Sequence, residues 1–211
     1  MNRYRHIIFD FDGTLLDTEE AIINSLKDTV REILHKEMAA NELKFALGIP
    51  GKTTLQKLGI TDDRQSAIAK WNTNLLKYKY AIRLFDGVAE LLPALKTSGH
   101  TLGIVTSKTR NEYAEDFASH FDVAECFDTV ICADDTARHK PHPDPLLAYL
   151  AATGITAHET IYIGDSIYDS LCARSAGVDF GHATWGCPTA DITGAKYIFK
   201  TPADILSQFG H

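Results

Sequence analysis

The apolar positions of this chain change their spacing twice along its length. Ile7-Ile8-Phe9 is a short unbroken run with β-branched members, which predicts a strand buried on both faces. From Leu16 to about residue 82, apolar residues instead recur at helical spacing. Ile22, Leu26, Val30 and Ile33 carry one helix through about residue 36, and shorter patterns cover about 40–47 and 53–58. After Asp62, the residues Ile68, Trp71, Leu75 and Tyr78 form a longer stripe, with Trp71 and Tyr78 read as core and not as a stacking platform. Asp17-Thr-Glu-Glu20 predicts a capping box, with Asp17 as N-cap and Glu20 at the third helical position. Gly48-Ile-Pro-Gly51-Lys52 predicts a stiff loop between helices.

Beyond Phe85-Asp86-Gly87 helices and strands alternate, the mark of a parallel sheet with crossover connections. Strands are predicted over 101–105, 129–132, 160–163, 178–183 and 197–199, and helices over 88–96, about 110–120, 143–152, 168–176 and 202–209. Pro93 is expected to kink the first of these helices. An all-helical block between the first strand and the second reads as an insertion. The expected organisation is therefore an α/β core domain of residues 1–15 and 83–211, built on a doubly wound parallel sheet. A helical cap domain of residues 16–82 is inserted in it. Such sheets bind ligands at the carboxyl ends of their strands.

Asp10 and Asp12 stand two apart at the end of the first strand, so both carboxylates face one point while Phe11 turns back into the core. Two such charges about 4 Å apart repel by roughly 4 kcal/mol at an effective dielectric near 20. A cation or a shared proton between them relieves this, and oxygen-only ligands suit Mg²⁺. Gly13-Thr14 follows, where glycine lets bare backbone N–H groups approach a ligand. Thr106-Ser107 lies directly after the second predicted core strand, placed for a phosphoryl oxygen or simply for a helix N-cap. Lys140 follows the third core strand by a short loop, and Gly164-Asp165-Ser-Ile-Tyr-Asp169 ends the fourth. Taken singly, Lys140 reads as a solvated charge and Asp165 as a helix cap. Four polar clusters in this order, each at a strand end, instead converge on one crevice.

Asp10-Phe-Asp12-Gly-Thr-Leu-Leu-Asp17, Thr106, Lys140-Pro-His-Pro-Asp-Pro-Leu146 and Asp165/Asp169 resemble the motifs of the haloacid dehalogenase superfamily over nearly the whole chain. The helical cap between the first and second motifs is similar to the phosphoglycolate phosphatase and β-phosphoglucomutase branch. The resemblance implies a phosphatase in which Asp10 attacks phosphorus and Asp12 serves as general acid and base. Thr106 and Lys140 would bind the equatorial oxygens, with Gly13, Thr14 and Ser107 lining the phosphate site. Mg²⁺ would be held by Asp10, the backbone carbonyl of Asp12 and Asp165, and Asp169 would orient Lys140 or a metal-bound water. By analogy with cap loops of similar enzymes, Lys52 would meet the part of the substrate remote from the phosphate. Hinges are expected near Leu16 and Phe85.

Composition narrows the partners. With 28 acidic against 21 basic side chains and a formal charge of −7, the chain has the wrong sign for a nucleic-acid binder. No run approaches the roughly 18 apolar residues of a membrane span, and Met-Asn-Arg-Tyr-Arg-His enters the first strand without a secretory apolar segment. A cytoplasmic protein is expected, as a monomer or small homo-oligomer acting on a small-molecule phosphate ester. Cys126, Cys132, Cys172 and Cys187 lack the spacing of a zinc site and are expected to be reduced thiols. His139 and His142 through a proline-rich loop are not expected to bind metal. Glu112, Glu115 and Asp116 read as a solvated helix face. Two alternatives stay open: a phosphomutase that returns the phosphoryl group to a sugar hydroxyl, and a catalytically silent binding module. The intact Asp10/Asp12 pair argues against the second, and Asp12 argues against a dehalogenase.

Overall fold

A computed structural model describes residues 4–186 and 192–210. It divides into two compact units, one of Met1–Leu15 with Leu84–His211 and one of Leu16–Arg83. The first contains a parallel sheet of six strands with helices around it, the expected doubly wound α/β class. In chain order the strands are β1 (His6–Phe9), β2 (Leu16–Asp17), β3 (Arg83–Leu84), β4 (Thr101–Val105), β5 (Thr129–Ile131), β6 (Thr160–Gly164), β7 (Asp179–Ala183) and β8 (Tyr197–Phe199). The six-stranded sheet runs β5-β4-β1-β6-β7-β8, while β2 and β3 pair as a separate ribbon.

Strand β1 lies at the centre because it is apolar on both faces, and every residue of it is buried. Ile7 pairs with Leu102 on one side and with Ile161 on the other. The strand order reverses about β1, with β4 and β5 on one side and β6, β7 and β8 on the other. This makes the carboxyl end of β1 the switch-point crevice of the sheet. Beneath it, Ile8, Val105, Ile131, Leu146, Tyr149 and Tyr162 belong to one buried cluster. The Tyr149 hydroxyl lies 3.0 Å from His6 Nδ1, so its polar end is satisfied inside the core.

The helices are α1 (Glu19–Leu34), α2 (Ala40–Leu43), α3 (Gly51–Lys57), α4 (Arg64–Leu76), α5 (Val88–Thr97), α6 (Arg110–Tyr113), α7 (Asp144–Thr153), α8 (Ile167–Ala176) and α9 (Pro202–Phe209). The first four make up the second unit, whose core joins Ile23, Leu26 and Val30 to Leu43, Leu55, Ala67 and Trp71. Trp71 Nε1 donates to Ser25 Oγ at 2.9 Å, and Asn74 Nδ2 to Thr29 Oγ1 at 3.1 Å, tying α4 to α1.

Several local expectations are corrected. Thr18, not Asp17, holds the N-cap position of α1, and it makes no side-chain cap bond. Asp17 instead lies in β2 and accepts a hydrogen bond from Arg83 Nη2 at 2.6 Å. Gly51 and Lys52 form the first turn of α3 and do not belong to a loop; Pro50 precedes them at the N-cap in extended backbone, where a residue without an N–H leaves no donor unsatisfied. The pattern over 40–47 breaks into α2 and a 3₁₀ turn, Lys44–Ala46. Tyr78 lies beyond α4, and its hydroxyl donates to Asp28 at 3.0 Å, so it is half-buried and polar at its tip, not core. Pro93 sits inside α5, which continues to Thr97. Cys126, Cys132 and Cys172 are unbridged, and Cys187 lies outside the described residues. No described helix is long and apolar enough to cross a membrane.

Candidate active site

The chain leaves β1 at Asp10, whose backbone N–H still donates to the Ile163 carbonyl at 2.8 Å. That bond extends the sheet by one residue and fixes the Asp10 side chain over the crevice, where it is 2% exposed. Phe11 turns into the core against Phe117, 5.0 Å between ring centroids. Gly13 then takes φ +81°, a left-handed conformation natural to glycine. A Cβ there would sit 2.4 Å from Asp165 Oδ2, so only bare backbone fits beside that carboxylate. Thr14 is fully buried and its hydroxyl donates to Asp165 Oδ1 at 3.3 Å. Trp185 Nε1 donates to the Thr14 carbonyl at 3.0 Å, pinning the turn from the far side of the chain.

Lys140 is the hub. Its side chain is 1% exposed, and Nζ donates to Asp10 Oδ1 and to Asp169 Oδ1, both at 2.7 Å, and to the Tyr162 hydroxyl at 3.1 Å. Burial alone would lower the pKa of this ammonium, but Asp10 and Asp169 outweigh it and raise the pKa. Asp169, in the first turn of α8, also accepts from the Ser166 N–H at 3.0 Å and from the Ser166 hydroxyl. Gly164 makes room for it, since a Cβ there would lie 2.6 Å from Asp169 Cγ. The Tyr162 hydroxyl lies 2.9 Å from both the Val105 carbonyl and Asp169 Oδ1, so one proton serves two acceptors.

Asp10, Asp165 and Asp169 offer carboxylate oxygens within 4.8 Å of one another, all three buried. Burial, then Asp169, raise the Asp10 carboxyl pKa against the pull of Lys140. Burial, then Asp169 and Asp10, raise Asp165 well above the ordinary carboxylate range. Asp10 Oδ2 is buried without a hydrogen-bond partner. Three buried acids around one ammonium leave excess negative charge, and an orphaned carboxylate oxygen is costly unless something occupies it. These are hard oxygen donors, so the set fits a divalent cation such as Mg²⁺. A second cluster, Cys132, Asp134 and Asp135, is largely exposed, and Asp135 is already engaged by Arg110 and the Cys132 N–H. Among the described residues, no histidine joins either cluster.

The remaining candidates are less gathered. Thr106 is buried after β4, with its N–H on the Ile131 carbonyl at 3.0 Å and its hydroxyl accepting from the Lys108 N–H at 3.1 Å. Ser107 is half-buried beside it. The half-buried Asp12 side chain lies outside the carboxylate cluster, 3.6 Å from Lys108 Nζ. Lys52 is exposed in the helical unit, where it lines a pocket of about 600 Å³ with Arg64, Gln65 and Ile68. Three residues escape the sequence reading. Tyr162 carries a signal in retrospect, because a tyrosine inside a buried strand needs a partner for its hydroxyl. Asp116 is buried, not solvated, and accepts from Lys108 Nζ at 2.9 Å. Its i, i+3 spacing from the buried Tyr113 places it on the inward side, which the charge pattern with Glu112 and Glu115 hides. Lys108 has no sequence signal of its own.

A family model for haloacid dehalogenase-like hydrolases matches residues 7–183. "Putative pyrophosphatase PpaX" of Caldanaerobacter subterraneus is 36% identical over 187 residues, spanning 85% of this chain and 81% of that protein. "Probable phosphatase IndB" of Dickeya dadantii is 30% identical over 198 residues, spanning 88% of this chain and 83% of that protein. The crystal structure of a "putative phosphoglycolate phosphatase" from Lactobacillus plantarum superposes with a TM-score of 0.89 at 30% identity, covering 98% of this chain and all of that one. With Asp10 leaving the central strand, Lys140 and Asp169 closing on it, and the match running from β1 through β7, the chain belongs to the haloacid dehalogenase-like hydrolase family.

Proposed function

We propose that this hydrolase is a Mg²⁺-dependent phosphatase of small phosphorylated metabolites, working through an aspartyl-phosphate on Asp10. The observation that carries the reading is Asp10 itself. One of its oxygens is held by Lys140 and the other is buried with no hydrogen-bond partner. A carboxylate held on one side and unsatisfied on the other is oriented for a reacting group or a cation, not for structure.

Asp10, the Asp12 backbone carbonyl and Asp165 are the groups that would hold the metal. Bound there, Mg²⁺ would offset the repulsion between the attacking carboxylate and an anionic phosphoryl group. An Asp10 oxygen forms a bond to phosphorus as the ester P–O bond breaks, and the electron pair leaves with the departing oxygen. Asp12 delivers a proton to that oxygen. Water then attacks phosphorus, Asp12 recovers a proton from it, and the carboxylate of Asp10 is released with inorganic phosphate. Lys140 neutralises charge on the phosphoryl oxygens, while Thr106, Ser107 and the N–H groups of Gly13 and Thr14 hold them. Asp169 and Tyr162 keep Lys140 in place.

For the substrate, pyrophosphate and phosphoglycolate, after which two of the similar proteins are named, both carry an anionic group beyond the scissile phosphate. Lys52 in the helical unit, beside Arg64, is the cation we assign to such a group. The test is a hydrolysis screen over pyrophosphate, phosphoglycolate, sugar phosphates and nucleotides, with Mg²⁺ and with excess chelator. Turnover should require Mg²⁺, and Asp10→Asn should lower it by at least about a thousandfold, roughly 4 kcal/mol of barrier. Full activity in chelator, or a sequence-verified Asp10→Asn protein that still turns over, defeats the reading.

A further inference from the structure

Lys108 takes no part in the scheme above, yet it is buried and closely placed. Its backbone is locked into the turn that presents Thr106: its N–H donates to Thr106 Oγ1 at 3.1 Å, and its carbonyl accepts from the Ala133 N–H at 2.7 Å. From that anchor the side chain runs along Phe11, with Nζ 5.9 Å from the ring centroid. Nζ donates to Asp116 at 2.9 Å and lies 3.6 Å from Asp12 Oδ1. Asp116 belongs to the π turn Ala114–Ala118 that continues α6. The aromatic neighbours of Asp116, Tyr113 and Phe117, both pack on the ring of Phe11. The line Asp116–Lys108–Asp12 therefore follows the flank of a residue that sits between the two acids of the first motif. Burying Lys108 and Asp116 is unfavourable unless they are paired, and here the one ammonium also faces the half-buried Asp12 carboxylate.

We propose that Lys108, clamped by Asp116, is a positioning residue that fixes the Asp12 carboxyl for proton transfer to the leaving oxygen. The inference rests on the phosphatase reading and deepens it. Without the Lys108 side chain, the Asp12 carboxyl would lose the contact that orients it. The orientation matters only where the departing oxygen needs a proton. An alkyl phosphate releases a strongly basic alkoxide and depends on that proton, whereas 2,4-dinitrophenyl phosphate releases a stable phenolate and does not. Measuring kcat/KM confines the comparison to steps up to the first irreversible one, formation of the phosphoenzyme.

The full chain with saturating Mg²⁺ is assayed on glycerol phosphate and on 2,4-dinitrophenyl phosphate, as wild type and as Lys108→Met, Lys108→Arg and Asp116→Asn. The expected result is a loss of about thirtyfold or more in kcat/KM on the alkyl ester for Lys108→Met, and less than about threefold on the dinitrophenyl ester. Lys108→Arg should recover most of the loss, and Asp116→Asn should show the same selectivity at smaller size. Equal losses on the two esters in any of these variants would assign Lys108 to phosphate binding or to the fold and overturn the proposal. No loss on either ester would overturn it as well. A wild-type chain inert toward both esters and toward every compound of the screen would defeat the phosphatase reading itself, and this proposal with it.

Discussion

Tyr162 is fully buried in β6, and its hydroxyl serves Lys140, Asp169 and the Val105 carbonyl at once. Tyr162→Phe keeps the ring and its packing while leaving the ammonium and the carboxylate one partner short. An unsatisfied buried partner costs about 1–3 kcal/mol. We expect part of this to appear in stability and part in catalysis, with kcat falling about tenfold and KM little changed, because the loss is in the orientation of Lys140. A variant matching wild type in both melting temperature and kcat would show that the hydroxyl is a bystander. The positions of Asp10 and Asp165 are legible because each is a polar residue placed where an apolar strand stops, and Lys140 only through its place in the order of motifs. Lys108, Asp116 and Tyr162 are not legible, because their partners come together only through tertiary packing. Asp116 in particular shows a charged residue whose face is set by Tyr113 and Phe117, not by its acidic neighbours.

Among the elements, α3 begins where the sequence pattern predicts a loop, and the difference bears on function. A loop lysine would sweep a wide arc, but Lys52 is the second residue of a helix capped by Pro50, so its Cα is held by α3. Gly51 packs toward the helical core, where a Cβ would lie 3.1 Å from Ile68 Cδ1, so the turn fits tightly against α4. If Lys52 meets the remote anion of the substrate, Lys52→Ala should lower kcat/KM on the best doubly anionic substrate by about tenfold or more, roughly 1.4 kcal/mol. Hydrolysis of p-nitrophenyl phosphate should barely change. Equal losses on both would assign Lys52 to the fold of its unit. The helical pattern itself was legible over α1 and α4, where Leu26, Val30 and Trp71 face one core. The start of α1 was not, because Asp17 finds a better partner in Arg83 than in the orphan N–H groups of a helix.

At the scale of the molecule, the buried acids make stability depend on pH and metal together. Asp10 and Asp165 have pKa values raised in the folded, metal-free chain. The folded state therefore holds more protons than the unfolded one, and stability falls as pH climbs out of the ordinary carboxylate range through the raised values. Lys140, whose pKa is also raised, contributes a constant amount over acid and neutral pH and loses it only in alkali. Mg²⁺ competes with those protons, so it should stabilise more at higher pH. Saturating Mg²⁺ should therefore raise the melting temperature, relative to chelator, more at about pH 7.5 than at about pH 5.5. A Mg²⁺ shift equal at both pH values would show that the carboxylate cluster is not where the ion binds. The doubly wound parallel sheet follows from the alternation of strands and helices beyond Phe85, and this scale is the most legible of the three.

The junction between β1 and α5 has a consequence for how this chain is put together. Within the α/β unit, the Phe85 N–H donates to the Leu15 carbonyl at 3.1 Å, so the points where the chain departs and returns touch each other. On the other side of the cut, Asp17 and Arg83 close the helical unit in the same way. Each piece is therefore a closed loop with adjacent ends, and the helical block behaves as a cassette spliced into a gap the width of one hydrogen bond. Excising it and bridging Leu15 to Phe85 with a short glycine turn should cost the α/β unit little loop entropy and leave its core intact. We expect the shortened chain to fold cooperatively, to keep Mg²⁺-dependent stabilisation, and to lose its preference among phosphate esters. An excised protein that fails to fold in Mg²⁺ would mean that the two pieces are one thermodynamic unit.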